Sequence, residues 1–261
     1  MNPITSRITF ILEQHGFAGW QLNELKQLAG HFRSVFVFYN ITRGKQAKIS
    51  ESLKILSLGS CRFDLCQIAI EGLDAELACM VVTEYLRDNS LLVSTSHKKN
   101  HNAKQLFSQH SAFQMPFDYQ WHYQSNICHQ NKQQALQSVA QQAAPQNPPA
   151  LLKQLEAREQ TSSTAIPGAI ALPHVVTEHV SVPTFVIQSL TTPLDWHSNQ
   201  SDIVFLTAIL LPSQLQREWI IAVTRLTRWL IKDSDNHLLL NAEREETIEA
   251  ILLHVMAKID P

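Results

Sequence analysis

The chain has 261 residues, a length that suits two compact domains better than one. Its formal net charge of −2 and the lack of a basic run exclude the usual nucleic-acid and anionic-membrane partners. The apolar segment near the N-terminus is short and is interrupted by Glu13 and Gln14, so it predicts neither a signal peptide nor a membrane span. We expect a soluble cytoplasmic protein without direct membrane insertion.

The cysteines and histidines show no spacing that is typical of a metal site. Four cysteines read as reduced, mostly packed thiols: Cys61, Cys66, Cys79 and Cys128. The twelve histidines are scattered, so a metal-binding function has little support. We predict neither a metal nor a cofactor.

The first ninety or so residues predict the order strand, helix, strand, strand, helix, strand, helix. Runs of β-branched and aromatic residues predict the strands, and apolar residues every three or four positions predict the helices. The predicted strands cover 8–12, 35–39, 46–49 and 65–70, and the predicted helices cover 20–28, 52–58 and 74–87. In the third helix, which Asp74 can cap, the pattern predicts a packed face of Leu77, Met80, Val81 and Tyr85.

This order resembles that of the phosphocarrier protein HPr, and residues 52–59, SLKILSLG, are similar to the Ser-Leu-x-Lys-Leu-x-x-Leu-Gly of that family. The resemblance implies an HPr-like domain over 1–89, an open-faced βαββαβα sandwich. HPr carries its phosphoacceptor histidine at the start of the first helix, but Ala18 aligns there. Because alanine cannot carry phosphate, this domain should not relay it.

Glu51 aligns with a serine that is regulatory in some bacterial HPr proteins. A carboxylate at the start of the short helix could imitate a phosphoserine with about half its charge. Glutamate is also common in a first helical turn, so a purely structural role is the alternative.

The polar segment 90–111 predicts a linker of solvated side chains. His97 and His101 lie four residues apart, but no carboxylate or cysteine completes a metal site with them. The rest of the chain predicts two helices, two strands and two more helices, the last two packed on the sheet. They cover, in order, 131–143, 150–159, 182–188, 202–212, 213–232 and 243–258.

The stretch from 158 to 174 is the strongest candidate for chemistry. The apolar run IAL at 170–172 predicts a buried strand that Pro173 ends, which leaves His174 at a strand end. A neutral imidazole presented there is a competent nucleophile. On spacing alone, one histidine beside one proline is more often a loop residue without chemistry.

From about residue 111 onward the chain resembles the enzyme IIA domain of the mannitol/fructose and nitrogen-regulatory type, from the phosphoenolpyruvate-dependent phosphotransferase system. The family signature of Arg-Glu, Ser-Thr and Ile-Ala-Ile/Val-Pro-His stands here as Arg158-Glu159, Ser163-Thr164 and IALPH at 170–174. The resemblance implies an α/β domain over 112–261, a mixed sheet flanked by helices.

The same resemblance implies a function. His174 would be the phosphoacceptor and Arg158 the partner of the phosphate. HPr or another phosphocarrier would be the donor, and a IIB domain or a regulated protein would be the acceptor.

Two positions depart from the family pattern. Trp219 stands where the family often has a second histidine, and Val175 replaces the glycine that usually follows the phosphoacceptor. We therefore expect weak transfer by a phosphocarrier or regulatory protein whose HPr-like domain is a docking module. The alternative is a non-catalytic regulatory protein that uses both folds as binding surfaces.

Overall fold

The computed structural model of the chain describes residues 4–98, 102–242 and 244–257. Contacts divide the chain into two compact units, one formed by Met1–Gln114 with Ala242–Pro261 and the other by Met115–Asn241. Each unit has its own sheet and its own hydrophobic core. No helix in the described part of the chain is long and apolar enough to cross a membrane.

The first unit begins with the predicted order of strands and helices. Its elements up to residue 109 are β1 (Ile4–Ile11), α1 (Gly19–Ala29), β2 (Val35–Asn40), β3 (Lys45–Lys48), α2 (Ser52–Leu56), β4 (Leu65–Gly72), α3 (Ala75–Asn89), β5 (Leu91–Thr95) and α4 (Ala103–Gln109). The prediction of seven alternating elements is confirmed through α3.

The five strands of the first unit form one antiparallel sheet in the order β3-β2-β4-β1-β5. Three rings, Phe10, Phe17 and Phe38, meet in its core with centroids 6.0 to 6.3 Å apart. Such aromatic pairs contribute about 0.5–1.5 kcal/mol each beyond their buried area. An aromatic cluster therefore joins two strands of the sheet to the segment that precedes α1.

The predicted packed face of α3 is wrong. Leu77, Met80 and Val81 are exposed, and the Tyr85 side chain is half-buried. The side chains that face the core are Ala75, Ala78, Cys79, Val82 and Leu86. Apolar residues occupy both sides of this helix, so periodicity alone selected the wrong stripe.

The predicted linker over 90–111 is also wrong, because it contains β5 and α4. β5 pairs with β1 along the edge of the sheet. The His97 Nδ1 atom lies 3.5 Å from the thiol sulfur of Cys79, and His101 lies outside the described residues. The three apolar residues at 91–93 were too few to distinguish a strand within a polar segment.

The second unit carries a mixed sheet flanked by helices, as predicted. Its elements are β6 (Gln120–Ile127), α5 (Lys132–Ala143), α6 (Pro148–Thr161), β7 (Ala165–Ile166), β8 (Ile170–Ala171), β9 (His174–Thr177), β10 (Thr184–Leu194), β11 (Ile203–Pro212), α7 (Arg217–Ile231) and α8 (Asp233–Leu240). The sheet order is β6-β10-β11-β8-β7, and β9 also pairs with β11.

β11 is the centre of this sheet. It runs antiparallel to β10 and parallel to β8 and β9. Nine of its ten residues are buried, which confirms the prediction of a strand covered on both faces. A buried, paired strand thus supports the segment that contains His174.

The C-terminal helix does not pack on the second sheet as predicted. It forms α9 (Glu245–Ala257), with residues 243 and 258 of the predicted helix outside the described residues, and it contacts β5 and α4. Hydroxyl groups of Ser94 and Thr247 lie 2.6 Å apart, and His254 Nε2 lies 2.7 Å from Thr42 Oγ1. Its amphipathic pattern predicted a packed helix but could not specify which sheet covers it.

Candidate functional site

His174 is the first residue of β9, immediately after a break in the strand pairing to β11. β8 and β9 both run parallel to β11, with Ala171 opposite Leu206 and His174 opposite Ile209. Pro173 lies in the break, and its carbonyl accepts the backbone N–H of Ile209 at 2.9 Å. The expectation of a histidine at a strand end is therefore confirmed, and the central strand fixes its backbone.

The two nitrogens of the His174 ring have different partners. Nδ1 lies 2.9 Å from the backbone carbonyl oxygen of Leu172, which can only accept, so Nδ1 carries the proton. Nε2 then holds the lone pair, and it accepts from Nε and Nη2 of Arg158 at 3.2 and 3.0 Å. The backbone thus selects the tautomer whose outer nitrogen is the nucleophile.

Arg158 lies in the last turn of α6, and a second hydrogen bond holds its guanidinium in place. Its Nη1 donates to the carbonyl oxygen of Ser162 at 3.0 Å. The guanidinium therefore lies against His174 Nε2 in a fixed orientation. A planar group with several N–H donors suits the oxygens of a phosphoryl group.

A cleft of about 370 Å³ reaches the half-buried His174 ring. Its walls are mainly apolar: Leu172, Val175, Val176, Ile209, Leu211, Val223 and Thr227 line it beside Arg158 and His174. None of these described lining residues is acidic. An anion that entered the cleft would meet one fixed cation in an apolar setting, where charge interactions are stronger than in water.

Glu159, next to Arg158, anchors the turn that orients this histidine. Its side chain is 4% exposed, and the carboxylate accepts from Thr164 Oγ1 at 2.5 Å, Thr164 N at 3.1 Å and Trp196 Nε1 at 2.9 Å. Lys132 Nζ lies 3.6 Å from the same carboxylate. A buried carboxylate with this many partners is satisfied and fixes the position of Thr164.

Thr164 in turn holds the residue that binds the imidazole. Its carbonyl oxygen accepts the backbone N–H of Leu172 at 2.9 Å, and the Leu172 carbonyl accepts from His174 Nδ1. A chain of hydrogen bonds therefore runs from Glu159 to His174. The motif contains Glu159 and Thr164, but their role in orienting the ring was not predicted. The spacing of five residues between the glutamate and the threonine was the available signal for their hydrogen bond.

Trp219 does not occupy the cleft. It is 6% exposed and packs edge-on against Phe117 with ring centroids 6.3 Å apart. Val223 and Thr227, one and two turns later on α7, are the lining residues from this helix, and sequence reasoning did not identify either. Val175 does line the cleft. Its side chain forms part of the wall beside His174 and does not block access to the ring.

Ala18 and Glu51 both lie in the first unit. Ala18 is the N-cap of α1, and its backbone N–H donates to Gln21 Oε1 at 2.8 Å. Glu51 is the N-cap of the five-residue helix α2. A hydrogen bond from the backbone N–H of Lys48 and another from Lys54 lower the pKa of the Glu51 carboxyl, so it is ionised near neutral pH.

The second unit is thus an α/β domain with one oriented imidazole and one guanidinium at the edge of a cleft. A family model described as "Phosphoenolpyruvate-dependent sugar phosphotransferase system, EIIA 2" matches residues 123–255, half of the chain. The chain belongs to this family, whose role is that of a phosphotransferase-type phosphoryl carrier.

Two solved structures of this kind are similar to part of the chain. One is the nitrogen regulatory protein IIA-Ntr from Neisseria meningitidis, with 18% identity and a TM-score of 0.46, covering 50% of this chain and 92% of that one. The other is IIA mannitol from Escherichia coli, with 18% identity and a TM-score of 0.40, covering 49% and 92%. No curated protein matches the chain.

Proposed function

We propose that the chain is a phosphocarrier or regulatory protein that accepts a phosphoryl group on Nε2 of His174. The observation that carries this proposal is the pairing of the two ring nitrogens. Nδ1 is bound to the Leu172 carbonyl, while Nε2 lies at the cleft beside Arg158. HPr or another phosphocarrier is the proposed donor, and a IIB domain or a regulated protein is the proposed acceptor.

The transfer is a displacement at phosphorus between two imidazoles. The bond from phosphorus to His174 Nε2 forms as the bond to the donor's ring nitrogen breaks, and the electron pair of that bond stays with the donor. Arg158 must leave Nε2 and bind the phosphoryl oxygens, a change that keeps its hydrogen bonds charge-assisted. The Leu172 carbonyl steadies the Nδ1 proton, and hence the positive charge that the ring develops.

The decisive experiment is phosphorylation of the full chain with phosphoenolpyruvate, enzyme I and an intact HPr. We expect an acid-labile phosphohistidine that disappears in His174→Ala. His179→Ala is the matched control, because His179 is also half-buried and lies outside the cleft lining. Failure of the wild-type chain to be labelled, under conditions that label an ordinary IIA domain, would reject the proposal.

A second candidate function is regulation by binding alone. It is favoured by Trp219, which supplies neither an acceptor nor a change of charge near neutral pH at the position where the family often has a second histidine. In that case partners would bind around the cleft without transfer. A chain that binds a phosphorylated donor but takes no phosphate from it would support this candidate.

We further propose that the first unit is an HPr-like docking module that carries no phosphate. Its support is the order of β1 to α3, the antiparallel order β3-β2-β4-β1 within its sheet, and Ala18 at the N-cap of α1. Trp20 is 62% exposed and Leu53 is 83% exposed, on the first turns of α1 and α2. Large apolar side chains left in water at two contacting helices are typical of a binding surface.

Substitution of the exposed leucine tests the docking role in the full chain. We expect Leu53→Asp to weaken binding to enzyme I or to another phosphotransferase component about tenfold or more, because a charge replaces an apolar side chain that the bound partner would bury. Leu73→Asp, at another exposed leucine of the same unit, is the control. If Leu53→Asp and Leu73→Asp bind the partner with the same affinity, the proposed docking surface at Leu53 is refuted.

The proposal for Glu51 is that its carboxylate imitates a regulatory phosphoserine. We expect Glu51→Gln to change the affinity for the docked partner and to leave the unfolding midpoint unaltered, because the side chain is exposed. An unchanged affinity would reduce Glu51 to an ordinary residue of a first helical turn.

A further inference from the structure

A second cavity, in the first unit, has no counterpart among the predicted sites. It has a volume of about 390 Å³, within the usual range of small-molecule sites. The last two turns of α3, strand β5, residues 97 and 98, and α4 with its N-cap residue form its walls. Most of the lining residues therefore belong to the segment 90–111, which was predicted to be a solvated linker.

Positive charge dominates the lining of this cavity. Arg87, His97 and Lys98 all line it, and none of the described lining residues is acidic. Arg87 also pairs with Glu84 on the preceding turn of α3. Lys98 Nζ has no ion-pair partner among the described side chains. Two permanent cations and an imidazole thus face one volume.

The pKa of the His97 imidazole agrees with this charge distribution. Partial burial lowers the pKa of His97, and the nearby Lys98, Arg87 and Arg244 lower it further, against the opposing effect of Glu84. Arg244 donates to the carbonyl of Ser96 at 2.7 Å, so it is fixed close to the same turn. The lowered pKa favours the neutral form of the His97 ring, and the three cations Lys98, Arg87 and Arg244 against the one carboxylate of Glu84 leave a local excess of positive charge.

The cavity also offers hydroxyl and amide groups that suit a polar, hydroxylated ligand. Ser90, Ser94, Thr95 and Asn102 line it beside the cations. Thr95 Oγ1 binds both the backbone N–H and the carbonyl of Lys98, at 3.2 Å each, which holds the turn that presents the lysine. The carbonyls at the end of α3 are capped, since Ser90 and Asn89 side chains donate to Leu86 and Tyr85.

We propose that this cavity is a binding site for a small phosphorylated metabolite, a phosphomonoester that also carries hydroxyl groups. The cations at Arg87 and Lys98 bind the phosphate dianion. The hydroxyl oxygens of Ser90 and Thr95, whose protons are donated within the chain, accept from the hydroxyl groups of the ligand. A carboxylate of the same size carries half the charge and would gain less from two cations. The site lies in the first unit and does not depend on phosphorylation of His174.

The test is isothermal titration of the full chain with glycerol 3-phosphate, inorganic phosphate and glycerol. We expect glycerol 3-phosphate to bind with saturation, inorganic phosphate to bind more weakly, and glycerol not to bind. Lys98→Gln and Arg87→Gln should each weaken binding about tenfold or more, because each removes one charge-assisted hydrogen bond. Both side chains are exposed, so these variants should fold.

Two control variants locate the binding. Lys153→Gln removes one exposed charge elsewhere and should leave the affinity unchanged. Arg158→Gln should also leave it unchanged, whereas loss of binding in that variant would put the phosphate in the His174 cleft and overturn the inference. Absence of saturable binding, or equal affinity in wild type, Lys98→Gln and Arg87→Gln, would overturn it as well.

Discussion

Glu159→Gln tests whether a buried carboxylate holds the phosphoacceptor histidine in place. The two oxygens of Glu159 accept from the hydroxyl and backbone N–H of Thr164 and from the indole N–H of Trp196. Glutamine keeps the shape but has one oxygen, and its NH₂ group must face one of these donors. At least one donor therefore loses its acceptor in a buried setting.

The size of the effect follows from the hydrogen bonds that the substitution removes. A hydrogen bond to a charged group contributes about 1.5–3 kcal/mol, and an unsatisfied buried donor costs about 1–3 kcal/mol. Lys132, 3.6 Å from the carboxylate, also loses its ionic partner. We expect Glu159→Gln to lower the free energy of unfolding by about 2–4 kcal/mol.

The functional effect should follow the same chain of hydrogen bonds. A looser Thr164 releases Leu172, and the Leu172 carbonyl then orients the His174 ring less well. We expect the rate of His174 phosphorylation to fall about tenfold at temperatures where the variant is still folded, because small misplacements of a nucleophile are costly.

Urea unfolding followed by tryptophan fluorescence, together with the phosphorylation assay, measures both effects. Glu156→Gln is the matched control, since Glu156 lies on the same helix and accepts an exposed hydrogen bond from Gln133 at 3.1 Å. If the two variants unfold at the same urea concentration and are phosphorylated at the same rate, the buried network neither stabilises the turn nor orients the histidine, and the reasoning is refuted. Normal stability with slow transfer would refute the energetic part alone.

Other substitutions test the backbone and the buried charge. Burial raises the pKa of Glu249 from 4.5 to about 7, so the native chain binds more protons between these values and loses stability as the pH rises. Glu249→Gln should therefore be the more stable form at about pH 8, by at most about 3 kcal/mol, and equal at about pH 4 in urea titrations. Gly72→Ala should destabilise by about 1–3 kcal/mol in the same assay, because an added Cβ would lie 2.7 Å from Ser34 Cα. Ala169→Gly should raise the thermal midpoint by the equivalent of about 0.5–1 kcal/mol, since Ala169 has φ of 58°.

Strands and helices that follow from the local pattern of apolar residues were predictable from the sequence. Which surfaces of these elements pack against each other was not. The strand at 203–212 is a continuous apolar run, so its burial on both faces was readable from the sequence. Leu77, Met80 and Val81 of α3 form an apolar stripe that faces solvent, beside a second stripe that faces the core. When a helix has two apolar stripes, tertiary contacts decide which stripe is buried, and the local sequence pattern does not specify those contacts.

The candidate site divides in the same way. His174 and Arg158 were predicted from the motif, and the structure brings them within 3.0 Å. Val223 and Thr227 were missed because the cleft is formed by α7 as it lies against the sheet, not by any spacing within α7. Trp219 was assigned from alignment to a site position, yet its indole packs on Phe117, because a large apolar ring gains more from burial than from a place beside a cation.

The C-terminal helix determines how the chain should be studied. The family match extends to residue 255, but α9 packs on β5 and α4 of the first unit. A chain shortened to residues 115–261 would separate α9 from these partners and from Ser94 and Thr42. Each buried leucine or isoleucine that becomes exposed costs about 1.5–3 kcal/mol, so we expect this shortened chain to aggregate or to show a less cooperative urea transition than the full chain. A monomer that unfolds as cooperatively as the full chain would contradict this expectation, and would mean that α9 contributes little through β5 and α4.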